Sequence, residues 1–377
     1  MNTEVPVPAD RPDRQEAFWA WTNKMVLDLV KGLGNETLAL EMQAYLSAGW
    51  NERTPGRRGY RNGYYDRGLT TPYGPITLSV PRCRDGGFDP SMLFDRYQRR
   101  IADVARILRH AYLLGTSTRA TAELAEQVFG GSLSHQTVSR LMRWLDEELT
   151  RYRRQPIADV YHVVYIDGMH VDVCGQDRMV MLVMGLTDSG RTEVLGFCTS
   201  TGEQCVELLW DLRRRGLETV ELFVSDESGA IRSAVAQVYP ESAWQSCSVH
   251  RLRGLAERIG ATDFRWPMVK QAGRLFRAGS KLAAWEIAGR WAERWRTKAP
   301  MAVRWFLEGL GDSLMFYTLP KVWWRRTRTN NLLERFIRTL RQRLRPMGCF
   351  HDLPAVERAV FGQLARWHRL PELTQNC

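Results

Sequence analysis

The stretch His162-Val163-Val164-Tyr165-Ile166-Asp167 decides the fold of this chain, because an apolar and largely β-branched run ends there in a carboxylate. Such a run favours a buried strand, and its period of two continues to residue 173. Turn residues then separate two further strand patterns, at 178–186 and 192–197. The pattern predicts a three-stranded antiparallel meander that carries Asp167 on its first strand.

Helix and strand patterns alternate after the meander. Helices are predicted at 203–215 and 230–239, and strands at 220–224 and 244–249. A meander followed by this alternation is the order expected for a ribonuclease-H-like sheet. The predicted fold class is therefore an α/β ribonuclease-H-like catalytic core with a mixed sheet, in which Asp226 follows the strand at 220–224.

A helical, tryptophan-rich segment at about 252–324 interrupts the sheet pattern and predicts an all-helical insertion. The spacing of its tryptophans indicates a packed core. These tryptophans are Trp266, Trp285, Trp291, Trp295 and Trp305. Glu334 then opens a helix in the most basic stretch of the chain, so the three acidic residues of interest lie on three separate elements.

Asp167, Asp226 and Glu334 each have a structural alternative. Asp167-Gly168 could form a hairpin turn, Asp226 could cap the following helix, and Asn331 with Glu334 has the spacing of a capping box. Two aspartates on strands and a glutamate on a helix can also hold a pair of divalent ions beside a phosphodiester. We favour this last interpretation, in which the three carboxylates are catalytic and bind metal.

The helix that Glu334 begins has one strongly basic side. Arg338, Arg341 and Arg345 follow Glu334 at helical spacing, and apolar residues occupy the opposite side. A carboxylate at the head of such a row suits a site where a phosphate backbone lies along the helix. We therefore expect these three arginines to bind DNA.

The charge balance favours a polyanionic partner. The 377 residues include 53 Lys and Arg against 42 Asp and Glu, a formal net charge of +11. Nearly all of the cations are arginines, whose planar guanidinium pairs bidentately with phosphate. Nucleic acid is the expected partner, although an arginine-biased genome would produce the same composition.

Two segments ahead of the core are candidates for contact with DNA. Residues 53–100 predict a small basic module in which Arg61 and Arg82 contact DNA, with a charged linker as the alternative. Residues 101–150 predict three helices, and the third, capped by Ser134, looks like the recognition helix of a helix-turn-helix domain. The outward residues of this helix that we expect to contact DNA are Gln136, Ser139, Arg140 and Arg143.

These patterns divide the chain into six parts. They are an N-terminal helical region that could serve in oligomerisation (1–52), the basic module (53–100), the helix-turn-helix-like domain (101–150), the first part of the core (151–251), the helical insertion (252–324) and the second part of the core with the Glu334 helix (325–377). The sequence has no signal-peptide pattern and no run of about 18 apolar residues. We expect a cytoplasmic protein without a membrane span.

The seven cysteines are scattered without CxxC spacing, which predicts reduced thiols rather than disulfides. Cys247 and His250 could be two ligands of a zinc ion, but two ligands without others nearby are insufficient. We expect these two residues to have a structural or supporting role beside the site.

Six short motifs together resemble the bacterial insertion-sequence transposases of the Mutator-like family. The motifs are Arg61-Asn62-Gly63, Val80-Pro81-Arg82-Cys83-Arg84-Asp85-Gly86, Tyr165-Ile166-Asp167-Gly168, Ser225-Asp226, Gln245-Ser246-Cys247-Ser248-Val249-His250 and Asn330-Asn331-Leu332-Leu333-Glu334-Arg335. The resemblance covers about residues 53–350 and implies a DDE triad of Asp167, Asp226 and Glu334. One departure is Arg251-Leu252-Arg253, where relatives often carry an Arg-Asn pair after the histidine.

The resemblance also implies an activity and its partners. It implies a transposase that binds the terminal inverted repeats of its insertion sequence, cleaves the DNA strands and transfers them to target DNA. Two Mg²⁺ ions are implied as cofactors, with Mn²⁺ as a substitute, and cutting two ends in concert implies at least a homodimer in the bacterial cytoplasm. Two alternatives stay open: a catalytically silent DNA-binding regulator derived from a transposase, and a ribonuclease-H-like nuclease.

Overall fold

The computed structural model describes residues 11–93, 100, 102–200 and 203–367. These residues form two compact units that divide between Met142 and Arg143. Residues 1–10 of the predicted N-terminal region and 368–377 of the predicted second part of the core lie outside the described residues.

In the first unit a long helix packs on a β-hairpin. Helix α1 (Arg11–Leu46) is followed by strands β1 (Arg61–Thr71) and β2 (Gly74–Cys83), which pair in antiparallel orientation. Leu38 of α1 is buried in one cluster with alternating apolar residues of the hairpin. The hairpin residues of this cluster are Leu69, Ile76, Leu78 and Val80. One face of the hairpin is thus used for packing, while Arg82 and Arg84 of the segment are exposed.

Three further helices complete the first unit: α2 (Ala102–Leu113), α3 (Thr118–Phe129) and α4 (His135–Leu141). Val104 and Leu108 of α2 and Ala125 and Phe129 of α3 form their core, and Leu141 of α4 packs against it. The side chain of Ser134 accepts a hydrogen bond from the backbone N–H of Thr137, which confirms the predicted cap of the third helix.

The predicted third helix of this segment is in fact two helices. Helix α4 ends at Leu141, and α5 (Trp144–Arg154) belongs to the second unit. Contacts within that unit hold α5: the Arg358 guanidinium lies 3.1 Å from Asp146 Oδ1, and the rings of Tyr152 and Phe361 have centroids 5.5 Å apart. For this reason α5 is grouped with the second unit, which begins at Arg143.

The second unit is built on a five-stranded mixed sheet. Strands β3 (Tyr161–Val173), β4 (Gln176–Thr187) and β5 (Thr192–Ser200) form the predicted antiparallel meander. Strands β6 (Leu222–Ser225) and β7 (Ala243–Ser246) extend it in parallel, and the order is β5-β4-β3-β6-β7. Helices α6 (Glu203–Arg214) and α7 (Gly229–Val238) connect the last three of these strands. This mixed α/β architecture is consistent with the predicted ribonuclease-H-like core.

The two faces of β3 have different surroundings. Val164 and Ile166 are buried in a core that also contains Leu209 of α6 and Val235 of α7. Because side chains alternate along a strand, Asp167 lies on the other face. Asp167 pairs with Leu182 of β4 in the middle of the ladder, so the alternative of a hairpin turn at Asp167-Gly168 is wrong.

The segment after β7 is helical, as predicted. It contains α8 (Ser248–Ile259), α9 (Arg265–Ala272), α10 (Lys281–Trp295), α11 (Pro300–Glu308) and the short α12 (Trp324–Thr327), with 3₁₀ turns at Leu275–Arg277 and Asp312–Thr318. Trp291 and Trp295 are buried in its core, whereas Trp266 and Trp285 are exposed. The expectation of a tryptophan core is therefore confirmed for the first pair and wrong for the second.

Two long helices end the second unit. They are α13 (Asn331–Leu344), followed by a 3₁₀ turn at Arg345–Met347, and α14 (Leu353–Trp367). Helix α13 lies against β3 and α14 lies against α5. Among the described residues, no helix has both the length and the apolar character that crossing a membrane requires.

Arg251 of α8 joins the helical segment to the sheet. This residue is 4% exposed, and its guanidinium donates to Glu227 Oε1 at 2.7 Å and to the carbonyl oxygen of Phe306 at 3.0 Å. Its Cζ lies 3.9 Å from the centroid of a Trp305 ring. A buried cation needs such partners, so Arg251 is a structural residue and is not available for contact with DNA.

The Trp305 packing predicts opposite effects for two glycine substitutions. A Cβ on Gly254 of α8 would lie 2.7 Å from Trp305 Cη2, and Arg251 and Arg258 stack on that tryptophan at 3.9 and 3.7 Å. We expect Gly254→Ala to lower the free energy of unfolding by roughly 1–3 kcal/mol. Gly289→Ala in α10 is the control, because nothing lies within 4 Å of its added Cβ.

The control should gain about 0.5–1 kcal/mol, since alanine favours the helix. Chemical denaturation of both variants measures the difference. Equal stabilisation by the two substitutions would contradict the placement of Trp305 over α8.

Candidate active site

Asp167 and Asp226 lie at the same level on neighbouring parallel strands. The pairing between β3 and β6 ends at Tyr165 and Val224, and Asp167 and Asp226 each follow two residues later. Asp167 Oδ1 accepts a hydrogen bond from the N–H of Gly168 at 2.8 Å, and Asp226 Oδ1 accepts one from the N–H of Ser228 at 3.1 Å. Ser228 occupies the N-cap position of α7, so the alternative in which Asp226 is that N-cap is wrong.

Asn330 fixes the start of α13 to the same region of the sheet. Its side chain is fully buried, at 0% exposure. The backbone N–H of Asn330 donates to Cys247 Sγ at 3.2 Å, and its Nδ2 donates to the carbonyl oxygen of Ile166 at 3.3 Å. Ile166 precedes Asp167 and Cys247 follows β7, so these two bonds bring Glu334, one turn into α13, towards the aspartates.

The capping-box alternative for Glu334 is wrong. The N-cap of α13 is Asn330 rather than Asn331, and its side chain makes no capping hydrogen bond. Oε1 of Glu334 instead lies 3.6 Å from His250 Nε2. The buried side of α13 is the expected one, and Arg338, Arg341 and Arg345 are exposed.

His250 places a positive charge beside the carboxylates. Its pKa is raised to about 9, chiefly by the interaction with Cys247 and further by the charges of Asp167 and Glu334, while burial acts in the opposite direction. The raised pKa favours the protonated imidazole at neutral pH. Its Nδ1 is buried and has no hydrogen-bond partner among the described residues. Cys247 and His250 thus lie beside the carboxylates, and their role there stays a prediction.

Burial is the main reason why the pKa of Asp167 is raised to about 6. The charges of Asp226 and Glu334 raise this pKa as well, whereas the N–H of Gly168 and the charge of His250 lower it. The three carboxylates therefore act on one another electrostatically. At pH 7 the ionised carboxylate of Asp167 therefore lowers the stability of the fold, and a further cation would reduce this loss.

The three carboxylates supply the type of ligand that Mg²⁺ prefers, but they do not form a closed ligand set. Asp167 and Asp226 each use only one carboxylate oxygen in hydrogen bonds to described residues. Within the described part of the chain, no group of three or more His, Cys, Asp and Glu side chains is arranged to hold a metal ion. Mg²⁺ usually takes only one or two carboxylates, together with water and substrate phosphates, so the oxygen donors fit it. A closed zinc site would need four protein ligands, which Cys247 and His250 do not supply.

Arg61 and Arg82, the predicted DNA-contacting residues of the basic module, differ in their contacts with the rest of the protein. Arg61 donates to the carbonyl oxygen of Gly49 at 3.1 Å, and its Cζ lies 5.2 Å from a Trp50 ring. Its guanidinium is thus already tied to the protein. Arg82 is exposed on β2, with its Cζ 5.0 Å from the ring of Tyr65.

The predicted recognition residues are not all on one helix. Gln136 and Arg140 are exposed on α4, and Ser139 of the same helix is half-buried. Arg143 is exposed but lies outside α4, at the N-cap position of α5. The break between the two helices separates Arg143 from the other three residues.

Sequence reasoning missed Asn330 and Glu227. Asn330 could have been noticed because it stands next to Asn331 in the sequence. The capping-box spacing to Glu334, however, favours Asn331 and gives no reason to expect a buried role for Asn330. Glu227 follows Asp226 directly, yet nothing in the sequence pairs it with Arg251. Both residues act by holding an element in place, which only tertiary contacts reveal.

The raised pKa of Asp167 predicts that Asp167→Asn stabilises the metal-free protein at pH 7. The stabilising contribution of the protonated carboxyl is complete below about pH 4 and is lost as pH rises to about 6. An uncharged amide avoids this loss, so the free energy of unfolding should rise by roughly 1–3 kcal/mol in EDTA at pH 7.

Denaturation of wild type and variant between pH 4 and pH 7 measures this effect, and the difference should disappear near pH 4. Asp263→Asn is the control, because Asp263 is exposed in a turn of the same unit. A variant that is less stable than the wild type at pH 7 would show that burial does not dominate at Asp167.

Comparison with known proteins identifies relatives along nearly the whole chain. Residues 12–369 match the family model described as "Transposase, Mutator family". The transposase for insertion sequence element ISRM5 of Rhizobium meliloti (strain 1021) is 30% identical over 347 residues, which are 88% of this chain and 85% of the relative. The transposase for insertion sequence element IS256 in transposon Tn4001 of Staphylococcus aureus is 28% identical over 349 residues, 89% of this chain and 87% of the relative.

A solved structure also matches, though weakly. It is a chain of the simian T-cell lymphotropic virus intasome in complex with PP2A regulatory subunit B56 gamma, with 9% identity over 49% of this chain and 66% of that chain. Its TM-score of 0.19 is too low to carry an argument about the fold. The sequence relatives and the family model are sufficient by themselves, and the chain belongs to the Mutator family of transposases.

Proposed function

We propose that this chain is a transposase that binds the terminal inverted repeats of its insertion sequence, cleaves DNA strands there and transfers them to target DNA. The observation that carries the proposal is the position of Glu334. Two buried hydrogen bonds of Asn330 bring the start of α13 to the strands that bear Asp167 and Asp226. In a member of this family, three carboxylates gathered from distant segments support strand cleavage on a ribonuclease-H-like core.

Asp167, Asp226 and Glu334 would hold two Mg²⁺ ions, or Mn²⁺ in their place. Such ions supply activation of the attacking oxygen and stabilisation of the leaving oxygen of a phosphodiester. The raised pKa of Asp167 supports this proposal, because burying a carboxylate next to two others costs stability unless a cation or a proton neutralises it. A regulator that only binds DNA would gain nothing from this loss of stability. We therefore favour the transposase over the regulator.

His250 would position Glu334. It is a cation 3.6 Å from the carboxylate, and its main interaction is with the buried Cys247. In this position the imidazolium limits repulsion among the carboxylates before DNA and metal arrive. We propose this supporting role for Cys247 and His250 and not a zinc site.

Double-stranded DNA would be bound outside the carboxylate site as well. The exposed Arg82, Gln136 and Arg140 are suited to contact duplex DNA, and Arg338, Arg341 and Arg345 to hold phosphates beside Glu334. Arg61 would contribute mainly by holding its loop, because Gly49 and Trp50 occupy its guanidinium.

The N-terminal helix would join two copies of the chain in a homodimer. Leu27, Val30 and Leu38 of α1 pack against the hairpin. Leu29, Leu33 and Leu40 are exposed by 62%, 56% and 60%. At about 100° per residue these three share one side of the helix, opposite the packed side. An apolar row on an otherwise solvated helix face is suited to pairing with the same row of a second copy.

Replacing any of the three carboxylates by its amide should abolish cleavage. We expect Asp167→Asn, Asp226→Asn and Glu334→Gln to lower Mg²⁺-dependent nicking at the element ends by roughly 10³-fold or more, because each removes a charge that binds metal. Binding of end DNA should be largely unchanged. The assay follows strand cleavage of labelled end DNA, with Asp188→Asn as the control that retains activity.

Wild-type cleavage by one of these variants would remove that residue from the site. Tight binding of end DNA by the wild type with no cleavage in Mg²⁺ or Mn²⁺ would favour the regulator instead. Cleavage of RNA–DNA hybrids in preference to end DNA would favour the nuclease.

Charges on the exposed row of α1 should separate the dimer. The double variant Leu29→Glu, Leu33→Glu places carboxylates in the proposed seam and should convert the dimer to a monomer without unfolding it, because both side chains are exposed. Sedimentation velocity measures the change, and Asn23→Glu, on a different side of α1, is the control. A double variant that dimerises as the wild type does would show that the seam lies elsewhere.

A further inference from the structure

A groove runs along α13 and the far half of β3. It has a volume of about 470 Å³, and its apolar walls are the outer edges of four largely buried side chains, Met169 and Val171 from the strand and Leu344 and Phe350 from the helix side. Its arginines are Arg338, Arg341 and Arg345, and His170, which pairs with Asp177, also lines it. A cavity that combines apolar walls with three guanidinium groups has the composition of a site for a ligand that is both anionic and partly apolar.

The groove is lined by the same strand and the same helix that carry Asp167 and Glu334. Met169 and Val171 follow Asp167 by two and four residues and lie on the same face of β3, which places them roughly 7–13 Å from it at 3.3 Å per residue. Arg338 and Arg341 follow Glu334 on the same side of α13. A ligand in the groove would thus be the part of the DNA strand that lies a few nucleotides from the reacting phosphodiester.

The three arginines have no competing partners. Within the described residues, Arg338, Arg341 and Arg345 make no ion pair or side-chain hydrogen bond, unlike Arg358 of α14, which pairs with Asp146. The lining carboxylate Asp172 accepts hydrogen bonds from the N–H of Gly175 at 2.8 Å and from Cys349 Sγ at 3.3 Å. The groove therefore carries three unpaired guanidinium groups against the one carboxylate of Asp172. The planar guanidinium group is suited to binding phosphate.

The shape of the groove distinguishes one strand from two. Phe350 is fixed to β3, because its N–H donates to the carbonyl oxygen of Asp172 at 2.9 Å and its carbonyl oxygen accepts from the N–H of Cys174 at 2.9 Å. The backbone of a duplex would touch only the arginines, since its bases are turned inward. A ligand removes the apolar walls from water only when its bases or sugars enter the groove, and this requires an unpaired strand.

We propose that this groove binds unpaired nucleotides of the DNA strand next to the reacting phosphodiester. Arg338, Arg341 and Arg345 hold the phosphates, and the apolar walls accept the bases or sugars. The inference rests on the proposed function, and it adds that the end of the element is opened when it is bound. Opening the duplex has an energetic cost that is smallest where base pairs are already mismatched.

The test compares two labelled DNA probes from the element end by fluorescence anisotropy in EDTA. One probe is fully paired, and the other has three mismatched pairs beside the cleavage position. The wild type should bind the mismatched probe about tenfold more tightly, because opening it costs less. Arg341→Ala should lose most of this preference. Arg335→Ala is the matched control, since Arg335 is exposed on the same helix but does not line the groove, and it should keep the preference.

The outcomes separate this inference from the proposed function, because binding in EDTA requires no catalysis. Equal affinity of the wild type for both probes, or an Arg341→Ala variant with the full preference, would overturn the groove and leave the transposase intact. Failure of the wild type to bind either probe would count against both. Circular dichroism of the two arginine variants verifies that each is folded.

Discussion

The two hydrogen bonds of the buried Asn330 are the constraint on which the second unit's site depends. The whole helical segment separates Asp226 from Glu334 along the chain, so nothing local brings these acids together. Asn330 binds the carbonyl oxygen next to Asp167 and the sulfur of Cys247 at the end of β7. A buried polar group without such partners costs about 1–3 kcal/mol, so these two bonds favour the observed placement of α13.

The placement of α13 brings the negative charge of Glu334 to those of Asp167 and Asp226. Burial raises the pKa of Asp167, and two further carboxylates raise it more, with the cation of His250 as the opposing charge on the protein. The Arg251–Glu227 pair holds the residue after Asp226 against the helical segment. Strain of this kind is typical of sites whose ligand completes them, because the ligand's interactions repay the loss of stability.

Much of the sheet could be predicted from sequence, because hydrophobic periodicity is local. The run that ends at Asp167 predicted β3 in the correct place, and the meander and the following alternation gave the five strands. Single residues that join distant elements could not be predicted in the same way. Asn331 fits a capping box by spacing, yet the buried contacts belong to Asn330, and Arg143 fits a helix stripe that breaks before it. In both cases tertiary contacts outweigh the local pattern.

A titration of Mn²⁺ followed by electron paramagnetic resonance tests most directly whether the three carboxylates form one metal centre. If they do, the wild type in complex with end DNA should bind two Mn²⁺ ions. Glu334→Gln should bind fewer ions, and Asn330→Ala should bind them roughly 10–100-fold more weakly, although it keeps all three carboxylates. If Glu334→Gln binds Mn²⁺ with the stoichiometry and affinity of the wild type, Glu334 is not a ligand and the three carboxylates do not form one metal centre.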